Sequence, residues 1–149
     1  MSLITEKLVV LNLDSADRHG ATRVLAQALA GEGRVTDLDG FLADVRKREE
    51  QMPTGLPGGI GIPHARSAYV TEPSLVFGRS AEGIDWGAED GPATLIFLIA
   101  APAGGGEDHL KILAALTRRL MRTEFRESLM NAPDAATVVD VVTREVVNP

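Results

Sequence analysis

The stretch ATLIFLIAA, Ala93 to Ala101, carries no charge and a single hydroxyl in nine residues. A strand that gives one face to water alternates polar and apolar residues, whereas a strand covered on both faces does not. Its centre is rich in β-branched and aromatic residues, so the run predicts a buried central strand, and the rest of the chain has to supply the layers above and below it. SLVFGRS, Ser74 to Ser80, reads as a second strand, with the turn-forming GAEDGP, Gly87 to Pro92, between the two.

The covering layers are legible as helices. In DSADRHGATRVLAQALAGEG, residues 14–33, the positions Ala21, Val24, Leu25, Ala28 and Leu29 recur at helical spacing, and Gly31 supplies a stop. A second helix starts near Asp37, places Leu38, Phe41, Leu42 and Val45 on one face, and ends in the charged RKREEQ before Pro53. PAGGG opens a third, whose Leu110, Leu113, Leu116, Leu120 and Met121 form a stripe read as core. A short helix follows from Glu124 to Met130. In the last segment Pro133 and Asp134 look like a helix start while the valines favour strand, and helix is the reading adopted. Helices before, between and after strands give an α/β domain, a three-layer α/β/α sandwich with a mixed central sheet flanked by helices. With 149 residues, a single domain over 1–149 is expected.

Composition removes several function classes. The chain has no cysteine, which excludes disulfides, thiol catalysis and thiolate metal sites within it. A net charge of −6 argues against nucleic acid as the main partner, because phosphate backbones need a basic footprint. No apolar run approaches the ~20 residues that span a bilayer, and the first residues lack a signal-peptide pattern. A cytoplasmic protein without membrane insertion is expected. GLPGGIG lacks the Lys-Ser/Thr of a Walker loop, and there is neither HExxH nor a histidine pair at i, i+4, so no nucleotide or metal site is expected.

Three histidines remain, at 19, 64 and 109. His19 reads as a surface helix residue. His64 closes GGIGIPHAR: the residue before Pro63 is held extended and the proline cannot donate to a ladder, so the pair ends or edges a strand and fixes the direction in which His64 leaves. Glycines 58, 59 and 61 would let another backbone or a bulky oxyanion approach. His109 follows GGGED at the start of the third helix, where exposed N–H groups favour anions and a neutral imidazole. A neutral imidazole, with an ordinary pKa of ~6.5, is a nucleophile at neutral pH. Its attack on a phosphoryl group gives a covalent phosphohistidine that passes the group onward. Arg46, Arg48 and Arg66 are candidates to hold the equatorial oxygens, and Thr54 could add a hydroxyl donor.

RKREEQMPTGLPGGIGIPHA resembles the active-site signature of the fructose/mannitol-type EIIA domain, type 2, of the bacterial phosphoenolpyruvate:sugar phosphotransferase system. DWGAEDGPATLIFLIAAPAGGGEDHLKILAALTRRL is similar to the second half of that domain, closest to the fructose branch. The likeness runs from about Thr5 to Val147. It implies that His64 is the phosphorylated residue, reacting through Nε2, that His109 helps hold the phosphoryl group, that Arg48 is the active-site arginine, and that Thr54 lines the phosphate pocket. It further implies a donor, the phosphocarrier protein HPr, and an acceptor cysteine on an EIIB component that works with a membrane EIIC. No cofactor and no metal are implied. A chain without cysteine or bilayer span leaves EIIB and EIIC to other polypeptides. A regulatory, nitrogen-type EIIA is the alternative within the same resemblance.

Overall fold

The computed structural model of the chain describes residues 3–15, 17–88, 91–104 and 108–147, with Asp108 and His109 described by backbone alone. The expected run ATLIFLIAA lies in β6 (Ala93–Pro102), and SLVFGRS in β5 (Ser74–Ile84). They form an antiparallel pair with Val76 opposite Leu98 and Phe77 opposite Phe97, whose rings lie 5.0 Å apart at 48°. Around them the sheet runs β1-β5-β6-β3-β2, with β1 (Val9–Val10) parallel to β5, β3 (Ile60–Gly61) parallel to β6, and β2 (Gly55–Leu56) antiparallel to β3. The sixth strand, β4 (His64–Ser67), also pairs parallel with β6, beyond β3 on the same edge. The sheet is therefore mixed, and β6 is central, as its unbroken apolarity predicts.

Two layers of helix cover it. Adding a Cβ at Gly78 would bring it 2.8 Å from Leu13 and 2.9 Å from Leu25, so that face of β5 carries α1 (Arg18–Gly31). The next residue, Arg79, points the opposite way and donates from Nη1 to the carbonyls of Leu129, Met130 and Ala132, at the end of α4 (Thr123–Met130). Helix α2 (Leu38–Gln51) packs on α1 and β4, and α4 packs with α3 (Asp108–Leu120) and α5 (Ala135–Val142). Between the layers Leu25, Phe41, Phe77, Trp86 and Phe97 are fully buried.

Local chemistry sets the helix ends. Asp17, Asp37 and Asp134 each accept the backbone N–H three residues on, at 2.7, 3.2 and 2.8 Å. The Asp134 cap decides the ambiguous valine segment in favour of helix, which then closes in a π turn, Thr143–Val147. α1 stops at Gly31, as expected, and Gly33, at φ 72°, takes the left-handed conformation open to glycine two residues on. Of the expected turn Gly87 to Pro92, Glu89 and Asp90 lie outside the described residues. So do Gly105 to Glu107 of the segment expected to open the third helix.

Candidate active site

The segment that carries His64 does not end at Pro63. β3 and β4 form one interrupted strand along β6, with Gly61 opposite Ile96 and His64 opposite Ile99. Across the two-residue gap the Ile62 N–H turns to the Thr54 carbonyl at 3.0 Å, and the Pro63 carbonyl accepts from the Ile99 N–H at 3.0 Å. The proline removes one donor, the ladder skips a step, and pairing resumes at the histidine. The Ile62 carbonyl, which faces β2 rather than β6, lies 2.9 Å from His64 Nδ1. A carbonyl only accepts, so Nδ1 carries the proton, and in the neutral ring this leaves the lone pair on Nε2.

Alternation along β4 places His64 and Arg66 on one face, while Ala65 and Ser67 are buried on the other. His64 and Arg66 line a cleft of about 540 Å³ between α2, the β4 edge and α3. Lys47 and Arg48 enter it from α2, and Leu110 and Leu113 from α3. Arg48 also donates from Nη1 to the Met52 carbonyl at 3.1 Å, which ties it to the exit of α2. Arg66 donates from Nη2 to the Ala103 carbonyl at 3.0 Å, and Asp44 accepts from the Ser67 hydroxyl at 2.6 Å. Among the described residues lining the cleft, three cations face one carboxylate, Asp44, in a chain whose net charge is −6. Such a site favours an anion with several oxygens.

Residues 2–145 match the family described as phosphoenolpyruvate-dependent sugar phosphotransferase system, EIIA 2. The chain belongs to this family. It is 45% identical over 141 residues to the fructose-specific EIIA component of Haloferax volcanii, covering 94% of this chain and 92% of that protein. It is 36% identical to part of the fructose-specific EIIABC component of Bacillus subtilis, covering 94% of this chain and 22% of that longer protein. Among solved structures, nitrogen regulatory protein IIA-Ntr from Neisseria meningitidis superposes with a TM-score of 0.87 at 27% identity, over 95% of this chain and 97% of that one.

The EIIA fold brings some of the expected site residues together and sets others apart. His64, Arg48 and Arg66 share the cleft, and α3 delivers His109 on its first turn, directly before Leu110; the His109 side chain lies outside the described residues. Arg46 faces the other way, into a groove of about 700 Å³ between α1 and α2 where four cations meet four carboxylates. That groove is larger than the cleft but contains neither His64 nor a surplus of positive charge. His19 is exposed and lies along it.

Thr54 is buried and not among the cleft residues. Its hydroxyl donates to Glu49 Oε1 at 2.5 Å and accepts from Trp86 Nε1 at 3.1 Å. Gly61 serves packing rather than oxyanion approach, because a Cβ there would lie 2.6 Å from the Trp86 ring. Gly58 and Gly59, at φ 94° and 78°, make the tight turn between β2 and β3. The leucine stripe of α3 is core only in part, with Leu113 packed half-buried against the core. Leu116 and Leu120 are fully buried, whereas Leu110 is 49% exposed at the cleft rim and Met121 is exposed. Lys47 and Asp44 had no motif to mark them; their signal is the helical period, which sets Lys47 and Arg48 three and four residues on from Asp44, on neighbouring positions of α2.

Proposed function

We propose that this EIIA domain is the phosphocarrier of a fructose-type sugar phosphotransferase system, that His64 accepts the phosphoryl group from phospho-HPr, and that it passes the group to an EIIB cysteine. One observation carries the reading. The Nδ1–H bond to the Ile62 carbonyl puts the nucleophilic lone pair on Nε2 of a histidine that shares a cleft with Lys47, Arg48 and Arg66.

In the first transfer the Nε2 lone pair forms the new P–N bond while the bond that held phosphorus in the donor breaks, and its electron pair returns to the donor. The Nδ1 proton stays in its bond to Ile62, so the Ile62 carbonyl faces the positive charge that develops on the ring. The transferring group is spread over three oxygens, and the cleft cations neutralise it without taking part in bond making. His109, on the first turn of α3, is assigned to hold the same group. In the second transfer the EIIB sulfur takes the phosphorus, the P–N bond breaks, and Nε2 recovers its pair. Thr54 supports the site from behind, through the carbonyl that holds Ile62 N–H.

The 45% identity to a fructose-specific component favours transport, and the fused EIIABC relative favours an EIIB partner. The likeness to IIA-Ntr favours a second reading, regulation by phosphorylation state. No helix among the described residues is long and apolar enough to cross a membrane.

The test uses phosphoenolpyruvate, enzyme I and HPr. The chain should gain one acid-labile label, which His64→Ala abolishes, and should pass it to a fructose-type EIIB. Undiminished label in the variant overturns the site. Label that no sugar-type EIIB accepts moves the assignment to regulation.

A further inference from the structure

Glu49 follows Arg48 in the sequence, yet its carboxylate is buried, 6% exposed, behind the cleft rather than in it. Oε2 accepts the Thr54 N–H at 2.6 Å, Oε1 accepts the Thr54 hydroxyl at 2.5 Å, and Arg18 Nη1 lies 4.0 Å away. A buried carboxylate carries a desolvation cost, and these partners offset it.

The register of the β2–β3 pair gives the arrangement a meaning. Gly55 lies opposite Gly61 and Leu56 opposite Ile60, so the next pair is Thr54 with Ile62. Antiparallel pairs alternate between those that exchange two N–H···O bonds and those that exchange none. Thr54–Ile62 is a bonded position, because the Ile62 N–H donates to the Thr54 carbonyl at 3.0 Å. The return bond of a regular ladder would run from the Thr54 N–H to the Ile62 carbonyl. Here the Thr54 N–H goes to Glu49, and the Ile62 carbonyl accepts from His64 Nδ1. An N–H bond to a carboxylate is stronger than one to a neutral carbonyl, so the side chain wins the donor.

We propose that Glu49 is the positioning residue that sets the tautomer of His64. By withdrawing the Thr54 N–H from the ladder it reserves the Ile62 carbonyl for the imidazole, which keeps Nδ1 protonated and the lone pair on Nε2. The consequence for phosphoryl transfer rests on the reading of His64 given above. The tautomer itself does not.

The readout is the imidazole 15N spectrum of His64, recorded where the ring is neutral. The wild-type chain should show the Nδ1–H form alone. In Glu49→Ala the freed Thr54 N–H competes for the Ile62 carbonyl, so the Nε2–H form should appear and His64 labelling should slow by up to about tenfold, the value of one hydrogen bond. Glu49→Gln keeps an oxygen for the Thr54 N–H and should restore the Nδ1–H form, which a purely stabilising role would not predict. An unchanged, single Nδ1–H spectrum in folded Glu49→Ala overturns the proposal. Should that variant not fold, the wild-type chain decides through scalar coupling across the hydrogen bond. Coupling of the Thr54 amide nitrogen to the Glu49 carboxyl carbon supports the assignment, and coupling to the Ile62 carbonyl carbon overturns it. A shifted tautomer together with labelled His64→Ala would reject the phosphorylation site and leave the positioning role standing.

Discussion

Gly61→Ala sets two effects of opposite sign against each other. Gly61 does not have a positive φ, so alanine fits the backbone there. Restricting the unfolded chain would on its own stabilise the protein by about 0.4–1 kcal/mol. Against this, the new Cβ would lie 2.6, 2.8 and 2.9 Å from Cδ2, Cγ and Cε2 of Trp86. Carbon–carbon contacts are comfortable at about 3.5 Å, so ring and strand must separate by roughly 0.9 Å. Neither yields easily. The indole is fully buried and its Nε1 is bonded to Thr54, while Gly61 is paired on one side with Gly55 and on the other with Ile96. Overpacking of this kind costs about 1–3 kcal/mol and outweighs the entropic gain. The difference, about 1.3 kcal/mol at the middle of both ranges, lowers Tm by about 3–5 °C for a chain of this size. Urea unfolding followed by circular dichroism measures it, with an unchanged m-value to show that the denatured state is the same. Trp86→Leu removes the obstructing ring, and in that background Gly61→Ala should be neutral or stabilising. A Gly61→Ala chain as stable as the parent, or a penalty that survives in Trp86→Leu, would refute the packing argument.

Three further outcomes follow from the site and the caps. Arg48→Met removes a donor to a developing anion and should slow His64 labelling by about a hundredfold or more; a rate within twofold of the parent would take Arg48 out of the site. His109→Gln should still accept the phosphoryl group but pass it on poorly, as scored by label appearing on EIIB, and unimpaired transfer would remove His109. Asp134 receives the hydroxyl and the N–H of Thr137, which hold its carboxyl below the ordinary 3.8. A lowered folded value means stability that is present above the ordinary value and lost as pH falls through the lowered one. Thermal melts should therefore show Asp134→Ala less stable than the parent at neutral pH, with the gap closing as pH falls below the ordinary carboxylate value; a gap unchanged by acid would exclude the carboxylate as its source.

What could be read from the sequence was local, and what could not was a matter of which distant residue fills a space. The central strand was legible because burial on both faces erases alternation, and the helix starts at Asp37 and Asp134 because each cap needs only its own first turn. His64 with Arg48 was legible from the motif, and the cleft joins them. The role of Gly61 depends on Trp86, twenty-five residues on, and that of Thr54 on the same indole, so residue type alone suggested an anion for both.

Some of the rest was present in the helical period and needed only to be followed through. Residues 46 and 48 are about 200° apart on a helix, so only one of the two arginines can share a cleft with His64. The same arithmetic applies to the rest of the charged RKREE run. Phe41, Val45 and Glu49 succeed one another at four-residue steps, and all three are buried residues of α2. A carboxylate on the stripe that carries Phe41 and Val45 cannot be left to water, so it must have donors waiting inside. The nearest are the N–H and hydroxyl of Thr54, just past the helix end. An acid at an apolar-face position, rather than the cations around it, is thus the sequence mark of the device that holds the strand leading to His64.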